Sequence, residues 1–330
     1  IGGSVFFSQN RIDASVITSP DSSSSYAVSL YRSGLHNTPS LLQKKDAMMV
    51  SAYGFNLTSG FRTLKTGILF TATNLSLALE KGANDPEYVN QFRDSENHVL
   101  SFYYNKLISN TLIYGDLSYD LKKSLAFIQG LSIKPSARLA VNFQFREYDP
   151  GYMAFHGNGP GSGSVTAAER ALMGSFTFEA ARHIFIYGGA DIADNRWLKY
   201  RCSFPSRSAR TEIRLKYLPG DKLNADLSYG TRFSMIDINK DLGAAGIQEI
   251  ESSVFKGLLR YNPSHNLSLS ARISYKVSSN TGSRGILLAH DIYFTMNKLP
   301  LSLWMRYCIF KTGDWDSRLY IYENDLLYSF

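Results

Sequence analysis

The chain has 330 residues, a formal net charge of +7, 44% hydrophobic, 19% charged and 13% aromatic residues, which excludes a wholly disordered polymer. Mean hydropathy is −0.17, and no apolar run approaches the roughly 18 residues of a membrane helix, so a bundle of transmembrane helices is excluded as well. Two cysteines, Cys202 and Cys308, are too few for a disulfide scaffold or a thiolate zinc site, and two separate thiols are expected.

Taken in chain order, the pattern predicts strands over 4–17, 48–58, 61–75, 97–107, 110–119, 123–134, 137–148, 169–181, 183–193, 208–218, 221–235, 249–262, 265–278, 284–297, 300–311 and 317–330. The signal is alternation with period two, the mark of strands with two unlike faces. In 138–146, Leu139, Val141, Phe143 and Phe145 oppose Arg138, Asn142, Gln144 and Arg146. In 209–217, Thr211, Ile213, Leu215 and Tyr217 oppose Arg210, Glu212, Arg214 and Lys216. In 222–231, Leu223, Leu227 and Tyr229 oppose Lys222, Asn224 and Asp226. In 266–277, Leu267, Leu269, Ile273 and Tyr275 oppose Ser268, Ser270, Arg272 and Lys276. In 301–309, Leu303, Met305 and Tyr307 oppose Trp304, Arg306 and Cys308.

These runs extend over roughly 9–13 residues. Strands of soluble proteins are mostly shorter, about 5–6 residues, whereas a tilted strand crossing a bilayer needs about 9–11. Connections alternate too. Short turns rich in Gly, Pro, Asn and Ser follow the even-numbered strands, as at Ser59-Gly60, Ile108-Ser109, Pro135-Ser136, Pro219-Gly220 and Pro263-Ser264. Long polar segments follow most odd-numbered ones, at 18–47, 76–96, 149–168, 194–207 and 236–248. Short turns at one end and long loops at the other are the arrangement of transmembrane barrels.

In hydrocarbon every backbone N–H and C=O needs a partner within the protein, so only helices and closed barrels span it. With helices excluded, the expected fold is all-β: an antiparallel transmembrane β-barrel of about sixteen strands, one domain over 1–330, in a bacterial outer membrane. The alternative is a large soluble antiparallel protein. Leu, Phe and Tyr then face lipid, where a Lys or Arg at the midplane costs about 2–4 kcal/mol. Arg146, Arg210, Arg214, Lys216, Lys222, Lys256, Arg260, Arg272, Lys276 and Arg306 face a wet lumen.

Several segments carry a resemblance. Phe6-Phe7-Ser8-Gln9-Asn10-Arg11-Ile12-Asp13-Ala14, Ser33 to Ser40, Leu42 to Asp46, Phe145 to Tyr152 with Gly157-Asn158, Trp197 to Arg201 and Arg318 to Tyr328 are similar to the barrel region of Gram-negative outer-membrane proteins whose full-length members carry N-terminal helix-hairpin-helix domains. The resemblance implies a barrel in the outer membrane. No helix-hairpin-helix segment is present in these residues, and members of the family continue past the segment resembling 318–330. With Ile at position 1 and no signal peptide, truncation at both ends is expected. The alternation of Leu326, Tyr328 and Phe330 also resembles the insertion signal at the end of many such barrels, interrupted by Asn324.

Motifs for chemistry are sparse. Gly157-Asn158-Gly159-Pro160-Gly161-Ser162-Gly163-Ser164 lacks the Gly-Lys-Ser/Thr of a phosphate-binding loop and reads as an exterior loop. His290 and Asp291 are neighbours on a strand, so they point to opposite faces and cannot pair. His98, near Asp94 and Glu96, and the late-loop pair Asp314 and Asp316 make no recognisable catalytic motif. No cofactor or metal is expected. The inward cations read either as a positive lumen favouring small anionic solutes or as charges paired across strands or with a plug. Basic loop residues holding anionic lipopolysaccharide are a further reading. The expected function is a passive conduit or the membrane anchor of a larger assembly. Alternatives are a nucleic-acid-handling part of DNA uptake, against which the aromatics lie on the lipid face, and an outer-membrane hydrolase.

Overall fold

A computed structural model describes residues 1–18, 25–31, 34–80, 85–163, 166–199, 201–238, 246–296 and 299–322. Sixteen strands follow in order: β1 (Gly2–Thr18), β2 (Ser25–Tyr31), β3 (Met48–Phe61), β4 (Leu64–Leu75), β5 (Glu96–Ile108), β6 (Thr111–Asp120), β7 (Ser124–Ser136), β8 (Leu139–Tyr148), β9 (Glu169–Ala181), β10 (Ile184–Asn195), β11 (Ser206–Gly220), β12 (Leu223–Asp237), β13 (Ile247–Ser264), β14 (Leu267–Ser278), β15 (Arg284–Thr295) and β16 (Ser302–Thr312). They make one all-β, antiparallel sheet, the construction of a barrel wall, in which each strand from β4 to β15 pairs with both sequence neighbours and β3 pairs with β4 and β1. Residues 2–12 of β1 pair with β3, and 13–18 pair with β2. Among the described residues, the far edges of β1 (2–12) and β16 have no strand partner. No helix among them is long and apolar enough to cross a membrane.

Fifteen of the expected strands are found. Two expectations are corrected. The segment 25–31, expected inside a long loop, is a strand that pairs with the end of β1. The expected strand at 317–330 is absent from 317–322. There Ser317 instead closes a compact turn, its N–H donating to Asp314 Oδ1 at 2.8 Å. Residues 323–330 lie outside the described residues, as do Ser33, Ser164 and Tyr200.

The tight turns also fall later than expected, and proline is the reason. Strands β7, β11 and β13 run on through Pro135, Pro219 and Pro263. Each proline sits where the register shifts, between Ile133 and Ser136, Tyr217 and Gly220, and Tyr261 and Ser264. A bulge is where a strand leaves a residue unpaired, so a residue with no N–H costs the ladder nothing there. The preceding N–H groups of Lys134, Leu218 and Asn262 turn to the other neighbour, bonding Asn110, His183 and Lys222 carbonyls at 2.9, 2.9 and 2.7 Å. The turns after these bulges close over two residues, and at the same end three turns without a proline bulge hold Arg62, Ser109 and His183 in left-handed conformations at φ 52°, 52° and 68°.

The register sorts every strand into two faces, and their burial is the inverse of a water-soluble protein. One face carries Leu100, Phe102, Phe143, Leu172, Ile192, Ile213, Leu227, Leu259, Ile273 and Leu288, all exposed. Leu172 and Ile192, partners across β9 and β10, are each 58% exposed. The other face carries the buried polar set: Thr73, Asn97, Ser101, Ser118, Asp120, Arg146, Glu169 and Asp291. Along β15 the two alternate residue by residue, with Ile286, Leu288 and Ile292 exposed and Leu287, Ala289 and Asp291 buried. At two places on the polar face a large ring lies over a glycine, Tyr103 on Gly67 and Tyr114 on Gly130, where any Cβ would collide with the ring.

This division predicts opposite outcomes for neighbouring substitutions. Val141→Arg should cost about 2–4 kcal/mol of assembly in lipid, whereas Asn142→Arg should assemble as the parent does. The fraction of heat-modifiable protein recovered after refolding into liposomes measures both, and equal yields would contradict the two-faced wall.

Candidate functional site

The site is built on the polar face at the end where the long connections lie. Arg146 on β8 is only 1% exposed. Its Nε donates to Glu169 Oε1 at 2.6 Å, and its Nη1 and Nη2 donate to Asp191 Oδ1 and Oδ2 at 2.8 and 2.9 Å. The alternation places these groups together. Glu169 lies beside Tyr148 in the register of β8 and β9, and Asp191 lies beside Met173 across β9 and β10. A buried guanidinium is tolerable only with such complete pairing, because an unpaired charge would cost several kcal/mol.

The same carboxylate ties down a loop. Glu169 Oε2 accepts from the Ser162 backbone N–H at 2.8 Å and also from its hydroxyl. Tyr148 donates its hydroxyl to the Pro160 carbonyl at 2.9 Å. Asn97 on β5 donates to the Met153 carbonyl at 3.2 Å. Burial pushes the Tyr152 hydroxyl above its usual range, opposed by a hydrogen bond with Ser118 on β6. Farther along, Phe155 meets Phe92 edge to face at 5.3 Å. Both belong to a buried apolar cluster with Ala14, Ala27, Met48 and Leu75, against which Met153 packs. Segment 149–163 therefore crosses the polar face from β10 back to β1. It is joined there by the loop after β4, whose Pro86 carbonyl accepts from Trp197 Nε1 of the loop after β10 at 3.1 Å. The expected exterior loop is in fact packed onto the wall. Two carbonyls and the Ser162 N–H find partners there, which is what lets irregular backbone be buried.

The second half of the sheet is different. Of the ten expected inward cations, Arg146, Arg210, Arg214, Lys216, Lys256, Arg260, Arg272, Lys276 and Arg306 lie on the polar face by register. Lys222 does not: it sits in the two-residue turn before β12, which starts at Leu223. Arg214 pairs with Glu212 at 2.7 Å, in a largely exposed contact worth little. Arg272 reaches Asp291 at 3.5 Å, and Arg306 also binds Asp291. Arg210, Lys216, Lys256, Arg260 and Lys276 have no ion-pair partner among the described residues, and neither does Arg232 on the same face of β12. The cations divide by strand. Arg146, Arg272 and Arg306 are paired structural charges, while β11 to β14 carry a wall of unpaired ones.

Arg232, Glu169, Asp191 and Ser162 were not among the expected site residues. Arg232 was legible, since it continues the parity of Asp226 and Ser228. Glu169 and Asp191 meet Arg146 from 23 and 45 residues away in sequence, and Ser162 meets Glu169, with no local signal. His290 points to the apolar face and Asp291 to the polar one, as expected of strand neighbours. In the loop after β4, Asp94 is held below the usual carboxylate range chiefly by its hydrogen bond from Lys122. Cys202 and Cys308 are both free thiols. Among the described residues no cluster of His, Cys, Asp or Glu is arranged to hold a metal ion.

No family model and no curated protein matches the sequence. Among solved structures, the chain is similar in trace to OccAB1 of Acinetobacter baumannii, at 9% identity and a TM-score of 0.41, covering 94% of this chain and 91% of that one. It is also similar to OccK11 (OpdR) of Pseudomonas aeruginosa, at 9% identity and a TM-score of 0.40, covering 81% of this chain and 86% of that one. Nothing about solutes or partners passes from them to this chain.

The anchoring geometry makes the loop separable from the wall. Glu169→Gln leaves Arg146 its two bonds to Asp191 but weakens both bonds to Ser162. Charge-assisted hydrogen bonds contribute about 1.5–3 kcal/mol each, so loop opening should become at least about tenfold more frequent. Hydrogen exchange in 150–163 should accelerate by that factor while exchange in β8 and β9 is unchanged. Unchanged exchange in the loop would show that Glu169 does not hold it.

Proposed function

We propose that the chain is a β-barrel of the bacterial outer membrane whose polar face lines a water-filled conduit for small anionic solutes. The observation that carries the reading is the pairing of an exposed apolar face with a wall of unpaired cations on β11 to β14. An exposed apolar band of this extent is costly in water and favourable in hydrocarbon. A bilayer also requires every strand edge to be paired, so the free edges of β1 and β16 meet partners there. Curling the sheet with its apolar face outward brings the covered strands β1 to β10 opposite the basic wall. The passage then runs between segment 149–163 and that wall, and fixed cations there raise the local anion concentration. Short turns lie on the periplasmic side and long loops outside, where basic loop residues meet lipopolysaccharide.

The resemblance to barrels that follow helix-hairpin-helix domains extends this reading to an anchor of a larger assembly. The basic wall supports the conduit more directly, because its cations face the polar interior and not a partner.

Reversal potential under a salt gradient across a planar bilayer tests the conduit. The pore should prefer anions at low salt, and the preference should fade toward 1 M, where the Debye length is about 3 Å. Replacing Lys216, Arg260 and Lys276 together by Gln should weaken the selectivity. Cation selectivity in the parent would overturn the reading.

A further inference from the structure

We infer that the wall holds a discrete oxyanion-binding site at its long-loop end, formed by Arg210 and Arg232 and taking the carboxylate or phosphoryl group of a small solute. The inference deepens the conduit reading by naming the solute chemistry, and rests on it for placing the polar face in water.

Arg210 and Arg232 are direct partners in the antiparallel register of β11 and β12. Directly opposed side chains have Cβ atoms about 4.5–5.5 Å apart, and like charges there repel. Such a pair ordinarily carries a carboxylate between its members. The nearest carboxylates on this face are Glu212, two residues along β11 and bonded to Arg214 at 2.7 Å, and Asp191, the partner of Arg210 across β10 and β11. Both oxygens of Asp191 are already taken by Arg146, at 2.8 and 2.9 Å. The buried triad thus withdraws the counter-charge from its neighbour and leaves two forked guanidiniums facing the same space. Paired guanidiniums match the planar or tetrahedral oxygens of carboxylate and phosphate.

Two further observations point to the same place. The first is Lys199, in the loop after β10, which lies within electrostatic range of Arg232. Burial pushes its ammonium below the usual range and Arg232 adds to this, while Cys202 and, more weakly, the carboxylate of Glu169 oppose it. An anion would relieve all three cations together. The second is Ser208, the next residue on the same face of β11 as Arg210, whose buried hydroxyl has no hydrogen-bond partner among the described residues. An unmade buried hydrogen bond is costly, and a bound oxyanion supplies the acceptor.

The test uses the full chain in detergent micelles, with inorganic phosphate and then succinate titrated calorimetrically at constant chloride. Binding should saturate. Arg210→Gln with Arg232→Gln should weaken it about tenfold or more, while Lys256→Gln with Arg260→Gln, which removes as much charge lower on the wall, should change it by less than about twofold. Circular dichroism confirms an intact sheet in each variant, and Arg210→Lys with Arg232→Lys separates lost forked geometry from lost charge. Equal losses in the two glutamine variants, or no saturable binding by either anion, would overturn the site. Planar-bilayer conductance on the same preparations separates the two claims: binding without conductance sustains the site and overturns the conduit, and conductance without binding does the reverse.

Discussion

Everything in this structure depends on a sheet that exposes its apolar face. A soluble protein hides such a face against a second layer. Here the fifteen strand pairings build a single layer, and Leu172, Ile192, Ile213 and Leu288 are left exposed along it. The arrangement is favourable where the surroundings are themselves apolar and the backbone is paired strand to strand. From that follow long strands, tight turns at one end, and, within the strands, prolines only at bulges beside those turns. From it follows also that charge must gather on the other face, where it meets water or a counter-charge.

The polar face divides its charges by how they are satisfied. Arg146 is buried and bonds Glu169 and Asp191 through each of its three side-chain nitrogens, and Glu169 in turn orders the segment that covers the first half of the wall. On β11 to β14 the cations outnumber the available carboxylates, and the surplus stays unpaired. The two halves are coupled, since Asp191 serves Arg146 instead of Arg210. One buried ion triad therefore shapes both the covered side and the binding side.

Much of this was legible in the residues. Period-two alternation at 138–146, 209–217 and 266–277 identified both the strands and the face of nearly every side chain, because in a strand parity alone decides direction. Turn positions were less legible. Pro135, Pro219 and Pro263 read as turn residues, but the strands pass through them by bulging, which depends on hydrogen bonds to neighbouring strands. β2 was missed because seven residues flanked by a serine run carry little periodic signal. Segment 149–163 read as an exterior loop because Gly and Pro dominate it. What draws it onto the wall is a set of contacts to Asn97, Ser118, Tyr148 and Glu169, spread over four strands. The cations were found by parity, and Lys222 was misplaced for want of one turn boundary. Which cations are paired was not legible, because the answer lies in carboxylates up to 45 residues away.

The central claim, that the exposed face meets hydrocarbon and the charged face meets water, is tested most directly on β14. Single cysteines placed at each position from Leu267 to Ser278, in a background lacking Cys202 and Cys308, carry a fluorophore in liposomes and are quenched in turn by a lipid-chain nitroxide and by aqueous iodide. The account predicts strict alternation. Leu267, Leu269, Ala271, Ile273, Tyr275 and Val277 should be quenched from the lipid, and Ser268, Ser270, Arg272, Ser274 and Lys276 from water. Quenching by iodide at both parities, with none from the lipid, would contradict it.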